Sequence, residues 1–188
     1  MTVIDELATR LNTGRLITDP DIVDAYRHHA HLVEPGVPLA VLLADTVQDV
    51  SVALAWAYEH GVPVVPRGAG TGLSGGATAT DGCLVLSTAR MTAIREVSAE
   101  DQLAVVEAGV ITVDVDRAAR EVGLMYAPDP SSFEICTIGG NLATNAGGLR
   151  CVKYGVTRDS VLGLEVVLAD GRIIRTGRRT VKVSRAMT

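Results

Sequence analysis

The sequence predicts an α+β fold of two small α/β subdomains, each with a small sheet, and three patterns carry that prediction. Residues 39–65 have the apolar and capping signals of a strand, a helix and a second strand. Residues 93–108 and 161–175 each have the signals of two strands joined by a short polar turn. Two glycine-rich stretches, residues 66–76 and 128–148, interrupt this series and are called the first and second glycine segments.

Two short helices are predicted ahead of the first strand. Residues 3–12 place four apolar side chains on one side of a helix: Ile4, Leu7, Ala8 and Leu11. The dipeptide Asp19-Pro20 is a start signal for a second helix that continues to Tyr26. We expect both helices to cap the first subdomain, which we place at about residues 35–90.

The first subdomain is predicted from ordinary start and stop signals. Thr46 and Asp49 form a capping signature for a helix that runs as far as Gly61. The apolar stripe of this helix includes Trp56, which we assign to the core and not to a cofactor contact. Strands are expected at residues 39–43, 62–65 and 83–86.

The second subdomain, at about residues 91–182, is predicted to begin with a hairpin. Thr112 is the expected N-cap of the helix that follows, and Gly123 is its expected end. The dipeptide Asp170-Gly171 favours a tight turn between two further strands. Strands are expected at residues 93–97, 103–108, 161–168 and 172–175.

The first glycine segment has five glycines in eleven residues, too many for a regular helix or strand. Such glycines let successive N–H groups curl around an anionic oxygen, so a phosphate or pyrophosphate is the expected ligand. Gly70, Gly72 and Gly75 also satisfy the dinucleotide motif G-x-G-x-x-G, which keeps a nicotinamide cofactor as an alternative. That motif needs a helix after the glycines, whereas here β-branched residues and a turn follow. A nucleotide-triphosphate P-loop is excluded, because no Gly-Lys-Ser/Thr follows.

The second glycine segment ends in Thr137-Ile-Gly-Gly-Asn-Leu-Ala-Thr-Asn-Ala-Gly-Gly148. Two such segments on one chain indicate a single elongated ligand. At this separation they resemble the flavin-binding domain of the vanillyl-alcohol oxidase and p-cresol methylhydroxylase superfamily, and within it the FAD-linked glycolate oxidase subunits and D-lactate dehydrogenases. The resemblance covers about residues 35–182. It implies a FAD-binding domain of p-cresol methylhydroxylase type, with FAD between the two subdomains.

The resemblance implies cofactor roles for residues of both segments. Backbone amides near Gly70 to Gly72 and the hydroxyls of Thr71 and Ser74 are expected to hold the pyrophosphate. Arg67 either adds charge or faces solvent, and Asn145 either contacts the cofactor or caps a turn. The implied FAD contacts are Pro66, Arg67, Gly68, Gly70, Thr71, Gly72, Leu73, Ser74, Pro130, Ser131, Ser132, Thr137, Gly140, Thr144, Asn145 and Gly147. Relatives with covalent flavin often carry a histidine in the first segment; this chain has none there, so a non-covalent FAD is expected.

The same resemblance implies an oxidoreductase that oxidises a 2-hydroxy acid, glycolate or D-lactate in class, by hydride transfer to FAD. An electron-acceptor protein subunit is the further partner that it suggests. Catalytic residues stay unassigned, because the relatives carry their substrate-binding arginines and histidine bases in a C-terminal domain that we expect to be absent here. Residues 183–188 depart from the family pattern and resemble a shifted reading frame or a premature stop. A FAD-binding fragment or remnant without catalysis is therefore the alternative.

The composition and the first residues of the chain indicate where in the cell the protein is located. A hydrophobic content of 47% excludes disorder, and the apolar run Leu39 to Ala44 is too short to span a membrane. The first six residues lack the basic and apolar regions of a signal peptide. The three cysteines are odd in number and form no C-x-x-C pair. A cytoplasmic location without a membrane span is expected.

Two clusters of charged or metal-binding residue types suggest other functions. Residues 141–188 carry nine basic and three acidic side chains, against eight and nineteen in residues 1–140. No aromatic residue is interleaved for base stacking, so a solvated hairpin is favoured and no nucleic-acid partner is expected. The histidines His28, His29 and His31 lack a carboxylate or cysteine at ligand spacing, so no metal is expected.

Overall fold

A computed structural model describes residues 3–11, 15–27 and 34–179 of the 188-residue chain. The helices are α1 (Val3–Arg10), α2 (Pro20–Asp24), α3 (Val47–His60), α4 (Thr112–Glu121), α5 (Ile138–Thr144) and α6 (Cys151–Tyr154), with a short 3-10 helix at Thr157–Ser160. The strands are β1 (Arg15–Ile17), β2 (Ala40–Leu43), β3 (Val64–Arg67), β4 (Leu84–Ser87), β5 (Ile94–Ser98), β6 (Leu103–Val106), β7 (Gly163–Val167) and β8 (Ile173–Gly177). The predicted histidine cluster and the basic residues beyond 179 lie outside the described residues.

The first sheet has the strand order β1-β2-β4-β3, with β2, β4 and β3 parallel and β1 antiparallel to β2. The chain passes from β2 through α3 to β3, the crossover that parallel strands require, and β4 then pairs with both. One face packs Leu42 and Leu84 against α1 and α3, and the other buries Val41 and Val85 near β1 and α2. Burial on both faces explains why β2 is an unbroken apolar run and why β4 is apolar up to Ser87.

Helix α3 has the ends that the sequence predicts. Asp49 N donates to Thr46 Oγ1 at 3.2 Å, and Thr46 N donates to Asp49 Oδ2 at 3.0 Å, which completes a capping box. Gly61 ends the helix with a φ of 64°. Trp56 is fully buried among the core residues beside the sheet, which confirms its assignment to the core.

Strand β3 is an outer edge of the first sheet. Leu84 N donates to Pro63 O and Thr88 N donates to Arg67 O, so alternate residues from 63 to 67 turn their backbone groups toward β4. Val64 and Pro66 therefore turn theirs away from the sheet. Proline at position 66 costs no hydrogen bond of the sheet.

The second half of the chain forms two separate two-stranded ribbons, β5–β6 and β7–β8. The predicted two small sheets are thus corrected to one four-stranded sheet and two ribbons, because the second hairpin does not pair with the first. Ribbon β5–β6 packs with α4 and α5 around Val110, Val115 and Ile138. The subdomain boundaries near residues 35, 90 and 182 stay predictions.

Two local predictions in this half were wrong or incomplete. Ile111, not Thr112, is the N-cap of α4, and it makes no side-chain capping bond. Thr112 is fully buried, and its hydroxyl donates to Cys136 O at 3.2 Å, a partner distant in sequence. Helix α5 was not predicted, because it contains Gly139 and Gly140, which disfavour helices.

The turn between β7 and β8 packs against the first half of the chain. Ser51 Oγ, on α3, donates to Gly171 O at 2.6 Å. Gly171 has a φ of 84° and lies so close to α3 that an added Cβ would stand 2.7 Å from Ala55 Cβ. Within residues 3–11, 15–27 and 34–179, no helix has both the length and the apolar character needed to cross a membrane.

Candidate functional site

The first glycine segment leaves the sheet at the end of β3 and forms an irregular loop before β4. Gly70 and Gly75 have φ values of 71° and 80°, in the region that glycine adopts without steric cost. Among the described residues, no backbone acceptor receives a hydrogen bond from the N–H groups of Gly68 to Ser74. A run of unpaired N–H groups at a strand end is well suited to bind an anion.

Arg67 lies at the base of this loop and is partly buried. Its Nη1 donates to Ala77 O at 3.0 Å, so the side chain bridges the two ends of the loop. The guanidinium carbon lies 6.0 Å from the centre of the Tyr26 ring. Burial lowers the pKa of Arg67, although an arginine remains charged at neutral pH. No carboxylate of the described residues lies within 4.0 Å of it, so its charge is available to an anionic ligand.

The second glycine segment begins with a compact turn. Phe133 N donates to Pro130 O at 2.8 Å, and Cys136 N donates to Ser132 O at 2.8 Å. This turn leads directly into Thr137, the N-cap of α5. The carbonyl groups of Pro130 and Ser132 are thus used in the fold.

Helix α5 uses its first N–H groups inside the protein. Ile138 N donates to Val110 O, Gly139 N to Ala108 O, and Gly140 N to Thr137 Oγ1. The amino end of α5 therefore has these donors already occupied. We conclude that the free amides of this site belong to the loop and not to a helix terminus.

The structure brings the two glycine segments into direct contact. A Cβ added to Gly68 would stand 2.3 Å from Thr137 Oγ1, and one added to Gly72 would stand 3.5 Å from Thr144 Cγ2. Residues at both ends of α5 thus face glycines of the first segment. Gly68 in particular is needed for the close approach of loop and helix.

The predicted polar contacts fall into two groups. Of the predicted contacts, four hydroxyls make no hydrogen bond to the described residues: those of Thr71, Ser74, Ser131 and Ser132. Three other predicted groups have partners in the fold, since Thr137 Oγ1 accepts from Gly140 N, Thr144 Oγ1 donates to Gly140 O, and Asn145 Oδ1 accepts from Arg158 N. Asn145 also ends α5 with a φ of 49°, which makes it a structural cap.

Sequence reasoning missed two polar residues of this region. Asp129 Oδ1 accepts from Arg150 N at 2.9 Å, and Gly148 lies against Asp129, so this carboxylate joins the two ends of the second segment. Asn141 is 2% exposed and bonds the buried Thr112. Asp129 stands between two prolines, a position that favours an ordered turn, whereas Asn141 gave no signal because its partner is remote in sequence.

Three of the four arginines in residues 172–179 have carboxylate partners. Arg172 pairs with Asp170 at 2.6 Å and Arg175 with Glu165 at 2.8 Å, while Arg179 pairs with Glu96. These partners support a solvated hairpin over a nucleic-acid surface. Within the described residues, no three histidine, cysteine, aspartate or glutamate side chains lie close enough together to hold a metal ion.

The parallel sheet, the glycine loop with unpaired amides and the second segment packed against it define a domain that holds an elongated, phosphate-bearing cofactor. Residues 38–177 match the family model described as the FAD binding domain. The chain belongs to this family, and FAD is its cofactor.

Known proteins resemble the chain in both sequence and fold. It is 48% identical over 171 residues to glycolate oxidase subunit GlcD of Bacillus subtilis, covering 91% of this chain and 35% of that protein. It is 47% identical over 165 residues to D-lactate dehydrogenase of Archaeoglobus fulgidus, covering 86% and 37%. The crystal structure of p-cresol methylhydroxylase with substrate bound superposes with a TM-score of 0.79 at 26% identity, covering 97% of this chain and 36% of that chain. The chain thus spans just over a third of the length of these proteins, and its fold is of the predicted p-cresol methylhydroxylase type.

The residues present fit FAD. The pyrophosphate requires donors and positive charge, which the loop amides, the free hydroxyls and Arg67 supply. It also requires close backbone approach, which Gly72 permits because it lacks a Cβ. At Gly70 the missing Cβ leaves room for the Arg67 guanidinium, since an added Cβ would stand 2.7 Å from Arg67 Nη2.

Proposed function

We propose that this chain is the FAD-binding part of an oxidoreductase that oxidises a 2-hydroxy acid of the glycolate or D-lactate class to the corresponding 2-oxo acid. The observation that carries the proposal is the contact between the two glycine segments, where the unpaired amides of the first segment and free hydroxyls of both segments can bind a dinucleotide. The relatives named above, a glycolate oxidase subunit and a D-lactate dehydrogenase, support the choice of substrate class.

In this proposal, residues 66–74 bind the pyrophosphate. The N–H groups from Gly68 to Ser74 and the hydroxyls of Thr71 and Ser74 donate to its oxygens, and Arg67 supplies positive charge. Ser131 and Ser132 donate from the second segment. The other predicted contacts, Pro66, Leu73, Pro130, Gly140 and Gly147, provide backbone and van der Waals surface. Thr137, Thr144 and Asn145 contribute by holding α5 in place.

When bound, FAD supplies the hydride acceptor for the carbon that carries the hydroxyl group of the substrate. The protein must add a base for the hydroxyl proton and a cation for the carboxylate, placed beside that carbon. Arg67 contacts the first glycine segment, and Arg150 pairs with a residue of the second. Arg150 is paired with Asp129 at 3.4 Å. We therefore propose that substrate binding and proton transfer use residues outside this chain's 188, and that a separate subunit receives the electrons.

A chimera tests this function. Residues 38–177 replace the matched region of the Bacillus subtilis glycolate oxidase subunit, and the purified protein is mixed with glycolate without oxygen. We expect the oxidised-flavin absorbance to bleach in the chimera, and to stay unchanged in the 188-residue chain loaded with FAD. A chimera that binds FAD but does not bleach contradicts the proposal that this chain serves as the FAD-binding part of such an oxidoreductase. Bleaching of the 188-residue chain within seconds contradicts the need for residues elsewhere, and supports catalysis by this chain alone.

A further inference from the structure

A buried polar contact joins helices α4 and α5 beneath the second glycine segment. Thr112 is fully buried, and Asn141 and Cys136 are 2% and 3% exposed. Asn141 Nδ2 donates to Thr112 Oγ1 at 2.7 Å, and Thr112 Oγ1 lies 3.2 Å from Cys136 O, to which it donates. The hydroxyl therefore receives one hydrogen bond and gives another.

The position of Asn141 on α5 makes this contact unusual. Ile138 and Asn141, three residues apart, are the two buried side chains of α5. Ile138 packs into the apolar core with Val110 and Val115, and an apolar residue at 141 would bury more favourably than an amide. An amide is tolerated there because Thr112 pairs with it, and a paired polar group has one preferred geometry.

Helix α5 needs such a constraint, because it is short. Seven residues with two adjacent glycines form a helix only when tertiary contacts hold them. The residues at its two ends, Thr137 and Thr144, face Gly68 and Gly72 of the first segment. A small shift of α5 on α4 would change the distance between the two glycine segments at both places.

We propose that Thr112 and Asn141 are positioning residues for FAD: their hydrogen bond sets the position of α5, and thereby the spacing between the two glycine segments. The inference rests on the proposed function of these segments in binding the cofactor. Both side chains are buried, so they act on FAD indirectly, through Thr137, Thr144 and the first glycine segment. A pair of apolar side chains would keep the packing between α4 and α5 but would not fix the position of α5.

The test separates position from stability. The double variant Thr112→Val with Asn141→Leu replaces the polar pair by apolar groups of similar size, and Thr112→Ser keeps the hydroxyl. For each protein we measure the melting temperature without FAD and the Kd for FAD by quenching of flavin fluorescence. We expect the double variant to melt within about 3 °C of the wild type. Cys136 O keeps its hydrogen bond from Thr112 N, and the further loss is the weak contact at 3.2 Å between Thr112 Oγ1 and Cys136 Sγ. We expect the Kd of the double variant to rise at least tenfold, and that of Thr112→Ser to change less than twofold.

A double variant that is folded and binds FAD with the wild-type Kd overturns the proposal and makes the contact merely structural. If the double variant does not fold, the Kd for FAD is measured for the single variant Thr112→Val instead. The measurement is made at a temperature at which this variant is folded without FAD. A wild-type Kd in that variant also overturns the proposal, and a Kd at least fivefold higher supports it. Failure of the wild-type chain to bind FAD would instead contradict the assignment of the glycine segments themselves.

Discussion

At the scale of single residues, Gly68 has no room for a side chain. An added Cβ would stand 2.3 Å from Thr137 Oγ1, an atom fixed because it accepts the hydrogen bond of Gly140 N. Gly68→Ala must therefore displace the loop or break the cap of α5, which is worth about 1 kcal/mol. We expect the Kd for FAD to rise at least tenfold, measured by fluorescence quenching, with a fall in melting temperature of about 2 to 4 °C.

Gly76 provides the matched control for this substitution. It lies past the residues assigned to the pyrophosphate, its φ is not in the left-handed region, and an added Cβ would meet nothing within 4 Å. Gly76→Ala should leave both the melting temperature and the Kd near their wild-type values. If the Gly68→Ala and Gly76→Ala variants bind FAD with the same Kd, the contact between the first glycine segment and α5 does not contribute to FAD binding.

Gly72 differs from Gly68 in its surroundings. Its φ lies outside the left-handed region, and the atom nearest to an added Cβ would be Thr144 Cγ2 at 3.5 Å. The fold alone thus tolerates a small side chain there. Gly72→Val should keep the melting temperature of the FAD-free protein within about 4 °C and lose retention of flavin on gel filtration. Retained flavin with unchanged affinity would mean that the loop does not approach the pyrophosphate at this residue.

At the scale of elements, the turn between β7 and β8 depends on Gly171. Its φ of 84° and the 2.7 Å distance from an added Cβ to both Ala55 Cβ and Ser51 O give alanine two separate costs. The left-handed backbone costs about 1 kcal/mol, and the collision with α3 adds about 1 to 3 kcal/mol. Gly171→Ala should lower the free energy of unfolding by the sum, measured by urea denaturation.

Gly82 isolates the first of these two costs. Its φ is 69°, and an added Cβ would meet nothing within 4 Å. Gly82→Ala should therefore cost about 1 kcal/mol only. A similar loss in both variants would indicate that the turn yields without disturbing α3.

Ribbon β5–β6 contains a carboxylate whose contribution to stability depends on pH. Desolvation raises the pKa of Glu107, but hydrogen bonds from Ala93 N at 2.9 Å and Arg95 Nη2 at 2.6 Å outweigh it and lower the pKa below its ordinary 4.5. Because the pKa is lower in the folded state than in the unfolded state, the ionised carboxylate stabilises the fold above about pH 4.5. This stabilisation is lost as the pH falls through the pKa of the folded state. Glu107→Gln should cost about 1 kcal/mol at pH 7 and less at pH 3, measured by thermal unfolding at both values.

The exposed Glu100 is the control for the loss of one negative charge in the same ribbon. Glu100→Gln should change the melting temperature by less than about 1 °C at either pH. A constant difference between wild type and Glu107→Gln from pH 7 to pH 3 would contradict the assigned partners.

The elements also show how far local signals reach. Thr46 with Asp49, Gly61 and Asp170-Gly171 are recognisable in sequence because cap and turn bonds join residues a few positions apart. Helix α5 and the start of α4 were missed or misplaced because Thr112 bonds residues 24 and 29 positions away. A buried partner that distant overrides both the poor helix propensity of glycine and the capping preference of threonine.

At the scale of the whole molecule, FAD should stabilise the fold as a ligand that binds the folded state alone. At a hundredfold excess over the Kd the gain is about 2.7 kcal/mol, which for a chain of this size raises the melting temperature by about 5 to 10 °C. NAD at the same concentration should cause no shift, because the loop lacks the helix that a nicotinamide dinucleotide site requires. Stabilisation by NAD equal to that by FAD would reinstate the nicotinamide alternative.

The link between protein and flavin is open to a second measurement. No histidine occurs in residues 66–76, where relatives with covalent flavin often carry one, so we expect the cofactor to dissociate. Acid precipitation of the FAD complex should release all of the flavin into the supernatant. Flavin absorbance that stays with the pellet would reveal a covalent bond.

Some features of the candidate site could also be predicted from the sequence, and others could not. Glycine and hydroxyl residues of the two segments were identifiable from their spacing, because close backbone approach and donation to phosphate need those residue types. Which hydroxyls are free was not predictable: Thr71 and Thr144 look alike in sequence, but only Thr144 finds a partner, Gly140 O, within its own helix. Asp129 and Asn141 act through neighbours that only the folded chain brings together.

Pro66 links the cofactor loop to the behaviour of the protein in concentrated solution. It lies in the outermost strand of the first sheet, in the row of backbone groups that turns away from β4. An outer strand with a complete row of donors invites strands of other molecules to add to it, and such growth leads to aggregates. Proline has no N–H, so Val64 is the residue within β3 whose N–H points away from β4. A strand of a second molecule therefore lacks the row of donors that it would need to pair with β3. The first glycine segment thus leaves the sheet from an edge strand that resists self-association.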